Sequence, residues 1–296
     1  MYRARVAGHI CLDLLPELAT GIPASGGLTE SGPLQMRLGG CVANTGLALA
    51  ALGAPVELVA AVGEDLLGDA IATLIESAST TGTTLTRTAG VSTSYSIVIE
   101  PPGEDRRFLH HVGANELFDG SAVPVAGADL LHVGYPQLLP RLVDDDGAGL
   151  IELLARAQAA GVTTSVDFAT VDPQAEPRPW PQIVRRWAPL IDVLTPSIDD
   201  LAPVFPQQVT TDRPAIPGRT ADVLADALID AGVGVAMVTE GRAGMCLRTA
   251  DEKRLRTGGH LLAALPPEWT NRQLWAPPSA VDQIQTTGAG DIATAG

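Results

Sequence analysis

Three cysteines in 296 residues, Cys11, Cys41 and Cys246, form an odd set with no CxxC spacing. A disulfide framework and a zinc-ribbon site are therefore not expected, and a reducing compartment is the natural setting. Aromatic residues are scarce, at 4%. No apolar run approaches the roughly 20 residues of a membrane span. The N-terminal stretch MYRARVAGHICLDLL is interrupted by Asp13 and has neither the long apolar core nor the cleavage site of a signal peptide. Positive charge is also lacking: 19 Lys and Arg against 34 Asp and Glu leave a formal charge of −15. Such a surface repels nucleic acid and anionic membranes, so neither is expected as a partner. A nucleotide is not excluded, because backbone amides and one bound cation can set the local potential against the global charge. The sequence shows no internal repeat and no low-complexity tract. A cytoplasmic location follows as the expectation.

What is present is core-forming material. Hydrophobic residues make up 46% and charged residues 18%, which excludes the disordered class. Short β-branched or Leu-rich runs recur at Val6–Leu12, Val56–Val62, Leu130–Val133, Val162–Asp167, Ile191–Leu194 and Val235–Thr239. Helical periodicity fills gaps between them. Asp65–Ser77 places Leu66, Leu67, Ala70, Ile71, Leu74 and Ile75 on one face, while Leu150–Ala160 and Ala221–Ala231 stop at Gly161 and Gly232, where C-terminal caps are expected. Strands alternating with helices imply an α/β fold with a mostly parallel sheet covered on both faces.

Two segments break that alternation. Residues 14–37 are rich in Gly, Pro, Ser and Thr, and Ser94–Val112 reads as a hairpin around a Pro-Pro-Gly-Glu-Asp turn. Together they predict a small β lid, although a surface hairpin without a role has the same pattern. Asp172–Pro181 and Pro203–Pro217 read as surface loops.

Chemistry concentrates in two glycine-containing segments. Thr286-Thr287-Gly288-Ala289-Gly290-Asp291 would turn backbone amides toward one point, and a helix starting there would add its dipole to the pull on an anion. Asp291 could then accept a proton from a hydroxyl beside a bound phosphate. Taken alone, the same residues fit an ordinary strand-to-helix turn. In Arg37-Leu38-Gly39-Gly40-Cys41-Val42-Ala43-Asn44, the glycines allow close approach to the backbone, and Asn44 offers a donor and an acceptor suited to a sugar hydroxyl. Asn44 fits a helix-start residue equally well. His110 and His111 point to opposite faces of a strand and make a poor metal pair. Arg106 and Arg107 suit a solvated hairpin end better than a phosphate site. Asp144, Asp145 and Asp146 suit a polar loop, and Trp269 and Trp275 suit packing.

The stretch from Gly39 to Gly68 resembles the first signature of the ribokinase-like (PfkB) carbohydrate kinases, and Thr286–Asp291 resembles the second. Thr239-Glu240-Gly241-Arg242-Ala243-Gly244 is similar to the family's nucleotide-side TxGxxG turn, and Gly8 to Asp13 to its first strand and sugar-contacting aspartate. The order and spacing match across essentially the whole chain. The resemblance implies one ribokinase-like three-layer domain over residues 1–296, carrying the lid in segments 14–37 and 94–112. It implies transfer of the γ-phosphate of ATP to a monosaccharide hydroxyl, with Mg²⁺ neutralising the phosphates. Asp291 would be the catalytic base, and Gly288, Ala289 and Gly290 the anion hole. Asp13, Gly39, Gly40 and Asn44 would hold the sugar. Thr239, Gly241, Gly244 and Thr287 would line the nucleotide, and a homodimer through the lid is compatible with the family.

Three departures from the family pattern bear on these expectations. Ser197-Ile198-Asp199-Asp200 stands where Asn-x-x-Glu is common, leaving Asp200 or Asp199 as the metal-side carboxylate with a shorter reach. Gln285 replaces an aspartate. The family pattern continues past the position of Gly296, so part of the C-terminal fold, including part of the adenine pocket, is expected to be missing. A nucleoside kinase with Tyr95 or Phe108 as lid contact, and a non-catalytic sugar-binding protein derived from a kinase, remain the alternatives.

Overall fold

Neighbouring residues of the buried strands enter different apolar clusters, and this alternation defines the layers. Val6 and Leu58 pack with Ile71 and Ile75, whereas the adjacent Ala7 and Val59 join Leu131, Leu142 and Leu153. A strand buried on both faces must lie between two layers of helices. The computed structural model of the chain describes residues 2–18, 21–78, 80, 82–102, 106–170, 177–206, 219–278 and 288–296. Its strands are β1 (Ala4–Gly8), β2 (Cys11–Leu18), β3 (Ser31–Gly39), β4 (Val56–Gly63), β5 (Gly82–Thr88), β6 (Tyr95–Ile99), β7 (Arg107–His111), β8 (Leu130–Gly134), β9 (Thr163–Asp167), β10 (Val193–Leu194), β11 (Val235–Thr239), β12 (Met245–Thr249) and β13 (Gln273–Ala276). Its helices are α1 (Cys41–Ala51), α2 (Leu66–Glu76), α3 (Pro140–Ala159), α4 (Trp180–Trp187), α5 (Ile198–Leu201), α6 (Arg219–Ala231), α7 (Glu252–Arg256), α8 (His260–Ala263) and α9 (Ala289–Ala295).

The larger sheet has nine strands in the order β13-β12-β11-β10-β9-β8-β1-β4-β5. All its pairings are parallel except those of β12 with β11 and β13. Helices α1 and α2 cover one face beside β1 and β4, while α3, α4 and α6 cover the other. The expected α/β architecture is thus observed. No helix among the described residues is long and apolar enough to cross a membrane.

The first predicted strand differs from expectation in one respect. Val6–Leu12 is not continuous: β1 ends at Gly8, which adopts φ +123°, and the chain crosses into a second sheet at Cys11. That smaller sheet runs β3-β2-β6-β7, so both segments predicted to form the lid pair with each other. Asp13 therefore belongs to the smaller sheet. Helix α3 is also interrupted, because Asp144 to Gly147 leave helical geometry and form the expected polar loop.

The order of strands positions the site. From β1 the chain builds outward to β4 and β5, then returns to β8 on the opposite side of β1 and continues through β9, β10 and β11. In an open α/β sheet the crevice at such a reversal, outside the carboxyl ends of the strands, is where ligands bind. His9, Tyr135 and Asp167 stand at or just beyond the carboxyl ends of β1, β8 and β9.

Candidate active site

Helix α9 begins at Gly288, a residue in the left-handed region (φ 72°), and packs against α1. This brings together residues nearly 250 positions apart. Asp291, buried in the first turn of α9, accepts from Asn44 Nδ2 at 3.0 Å, from Thr45 Oγ1 at 3.1 Å and from the Tyr135 hydroxyl at 2.8 Å. Every one of these donors is neutral. Gly288 sits against the Asn44 amide, while Ala289 and Gly290 are exposed on the same first turn. The structure thus joins Asn44 to Asp291 and the Gly288–Gly290 backbone in one place. Thr287 and Gln285 lie outside the described residues.

Beneath this pair lies a buried polar layer. Cys41 Sγ is 3.1 Å from His132 Nε2 and 3.4 Å from Thr45 Oγ1, and His132 Nδ1 is 2.9 Å from Ser165 Oγ. Burial pushes the Cys41 thiol well above its ordinary range, and the charges of Asp291 and Asp167 add to the effect. Burial alone lowers His132 to about 4, so its imidazole is neutral. The layer is fully enclosed and serves as the floor of the site.

Asp13 lies on the smaller sheet opposite Ser96 of β6, which in turn pairs with His110 of β7. Because side chains alternate along a strand, Asp13, Ser96, Val98, Phe108 and His110 share one face. Burial raises the Asp13 carboxyl, while hydrogen bonds from Cys11 and Ser96 and the nearby Arg106 charge act in the opposite sense. Gly39 lines this carboxylate so closely that an added Cβ would lie 2.5 Å from both Asp13 oxygens. Gly40 adjoins His9 in the same way. The four residues expected to hold a sugar thus form two neighbouring sets, Asp13 with Gly39 and Asn44 with Asp291, linked by the Gly40 backbone, whose carbonyl accepts from Asn44. Tyr95 is on the opposite face of β6, where it packs on His111 at 5.3 Å, so Phe108 alone keeps the lid-contact position. Arg106 is not a plain solvated hairpin end, since its guanidinium covers the Phe108 ring at 5.4 Å.

The Thr239–Gly244 segment is the hairpin turn between β11 and β12, closed by Glu240 N to the Gly244 carbonyl at 2.8 Å. Thr239 and Gly241 stand at the carboxyl end of the sheet. A Cβ on Gly244 would collide with the Ala276 carbonyl, so this glycine is required by the β12–β13 pairing. Trp275, expected to pack, is instead 54% exposed and donates from Nε1 to the Ala243 carbonyl at 3.2 Å.

Asp200 closes a capping box on α5, accepting from Ser197 N at 2.8 Å and Ser197 Oγ at 2.6 Å. Its other oxygen accepts from Thr170 Oγ1 at 2.6 Å. Asp167 was not anticipated from the sequence. It is buried at the carboxyl end of β9, and burial, then the charges of Asp291 and Asp200, push its carboxyl well above the usual range. Asp200 is raised as well, first by burial. Carboxylates that repel one another and offer only oxygen donors fit a hard divalent cation such as Mg²⁺. His9, Tyr135 and Thr45 were likewise missed. Their signal is positional, since each follows a strand end or adjoins Asn44 on the helix.

The family model for pfkB family carbohydrate kinases matches residues 6–296. No curated protein matches the chain. Ribokinase from Arabidopsis thaliana, solved with ribose and ATP, superposes with a TM-score of 0.72 at 20% identity, over 100% of this chain and 84% of that one. Ribokinase from Thermotoga maritima gives 0.69 at 18% identity, with 100% and 84% covered. Fructokinase from Xylella fastidiosa gives 0.65 at 20%, with 84% and 76% covered. These likenesses agree with the fold described above. Matched over almost its whole length, the chain belongs to the pfkB family of carbohydrate kinases.

Proposed function

We propose that the protein transfers the γ-phosphate of ATP to a hydroxyl of a monosaccharide, with Asp291 as catalytic base. One observation carries this reading. Asp291 is a buried carboxylate at the strand-order reversal, held by three neutral donors and paired with no cation in those contacts. Such a group is oriented and still able to take a proton.

In this reading Asp13 and Asn44 bind the sugar hydroxyls, with Gly39 and Gly40 giving the room to do so. Asp291 accepts the proton of the attacking hydroxyl as the oxygen meets the γ-phosphorus in line. Amides of Gly288, Ala289 and Gly290 hold the charge on the transferring group, since first-turn amides have no partner within a helix. Thr239, Gly241 and Thr287 would face the nucleotide phosphates. Asp167 and Asp200 would hold Mg²⁺ through its waters, and the ion would supply charge neutralisation on the phosphates. The smaller sheet would exclude water from the site. Its outer face exposes Leu34, Met36 and Leu109, which supports pairing with a second copy of the chain.

The test is ATP consumption with Mg²⁺ against pentoses, hexoses, sugar acids and nucleosides. Acceptor-dependent turnover is expected with one or more sugars, and Asp291→Asn should lower kcat by at least about 10²-fold, the lower end of a general base's contribution. Phe108 on the site face favours the nucleoside arm as a second reading, which turnover on nucleosides alone would select. Sugar binding without turnover would overturn the catalytic reading.

A further inference from the structure

We propose that His9, Cys11 and His110 form a binding site for a thiophilic divalent cation of the zinc class, at the root of the smaller sheet. One ligand atom from each of the three lies within 4.8 Å of the others. The spacing of cysteines along the chain gives no hint of such a site, because the ligands come from the β1–β2 link, from β2 and from β7.

The two imidazoles supply the strongest geometric support. Their Nε2 atoms are 3.3 Å apart. Two ligands of a tetrahedral ion with metal–nitrogen bonds of about 2.0–2.1 Å stand roughly 3.3–3.4 Å apart, so the rings already occupy one edge of that tetrahedron. His110 is oriented by its other nitrogen, Nδ1, which contacts Ser96 Oγ at 3.0 Å. This is the arrangement that metal-binding histidines use to fix the ring and free the opposite nitrogen. Among the described residues the His9 Nδ1 is buried without a partner, so that nitrogen makes no competing hydrogen bond. Cys11 Sγ completes the set from β2, beside Asp13 Oδ1 at 3.4 Å and Ser96 Oγ at 3.7 Å.

Two nitrogens and a sulfur select zinc-class ions over Mg²⁺, which demands oxygen ligands. Ligation replaces the S–H bond of Cys11 by a metal–sulfur bond and releases the proton to solvent. The fourth position is left to water. Because His9 follows the central strand β1 while Cys11 and His110 belong to the smaller sheet, a bound ion would tie the two sheets together. It would also sit next to Asp13, so metal and acceptor should oppose each other's binding by linkage.

The test uses reduced, metal-free, untagged protein titrated with Co²⁺ in the absence of oxygen. One equivalent should produce visible bands of tetrahedral cobalt and a near-ultraviolet thiolate-to-cobalt charge-transfer band, both removed by Zn²⁺ and untouched by Mg²⁺. His110→Ala, a change at an exposed residue of β7, should weaken binding by about 100-fold or more. Cys11→Ser should abolish the charge-transfer band, with circular dichroism confirming that both variants fold. Asp291→Asn should bind cobalt as the parent does, which separates this site from the proposed catalysis. Absence of the bands, or their persistence in both His110→Ala and Cys11→Ser, would overturn the proposal.

Discussion

Asp13 and Asp291 show how a single side chain is set by what its neighbours lack. Gly39 has no Cβ, and the Asp13 carboxylate occupies the space where one would be. Gly39→Ala must push that carboxylate aside, because Asp13 is short and enclosed. We expect the KM for the acceptor to rise by about tenfold, equivalent to roughly 1.4 kcal/mol, with a smaller change in kcat. An unchanged KM would remove Asp13 from the acceptor site. Tyr135 acts on Asp291 from the other side. It stands at φ 59°, a strained geometry for a side chain of its size, between the end of β8 and Pro136. Burial and the neighbouring acids hold its phenol well above its ordinary range, so it remains a donor. Tyr135→Phe withdraws one hydrogen bond from the charged carboxylate. kcat should therefore fall by about tenfold with little change in the acceptor KM, and an unchanged kcat would mean that the hydroxyl serves only packing.

At the scale of the element, legibility followed local chemistry. Helix α2 was readable because its apolar period and its cap are both written within a dozen residues. Asp65 accepts from Gly68 N at 2.9 Å and, across the sheet, from Thr93 N at 2.8 Å and Thr93 Oγ1 at 2.6 Å. Burial opposes the charged form of Asp65, yet the bonds from Thr93 and Gly68 outweigh it and hold the carboxyl below its usual value. A lowered carboxyl stabilises the fold above its unfolded-state value of about 3.9, and that stability is lost as pH falls through the folded-state value. Asp65→Ala should thus cost about 1 kcal/mol at pH 7. Denaturant melts should show the difference shrinking in acid, and a constant difference would assign it to packing. The β1–β2 break was not readable, because Val6 to Leu12 is apolar on both sides of Gly8 and each half is buried in a different sheet. Asn44 and Asp291 could each be picked out from their own segments, but their contact depends on α9 docking against α1, which no local pattern encodes. Asp167 looked like the last residue of an ordinary buried strand until the strand order placed it at the reversal.

For the whole molecule, the acids gathered at one edge of the large sheet set stability against function. Asp167 is buried beside Asp200 and Asp291, and its carboxyl is raised by burial first and by those charges second. The sign is opposite to that of Asp65. A raised carboxyl binds its proton more tightly in the folded state, so stability falls as pH rises from about 3.9 toward the folded-state value and stays reduced above it. Asp167→Asn keeps the shape and removes the charge. The variant should melt higher than the parent at neutral pH, with a shift on the order of 2–4 °C per kcal/mol, and the two should converge near pH 4. On the proposed reading Mg²⁺ would bind only the folded site, so it should raise the parent's melting temperature and raise the variant's less. Asp13 and Asp200 are raised as well, which makes the parent's own pH profile a sum over several groups. The difference between parent and variant isolates Asp167. A variant that melts lower than the parent at pH 7 would mean that the Asp167 charge is compensated within the fold, and the acidic edge would then be a structural feature instead of a cation site held ready at the cost of stability.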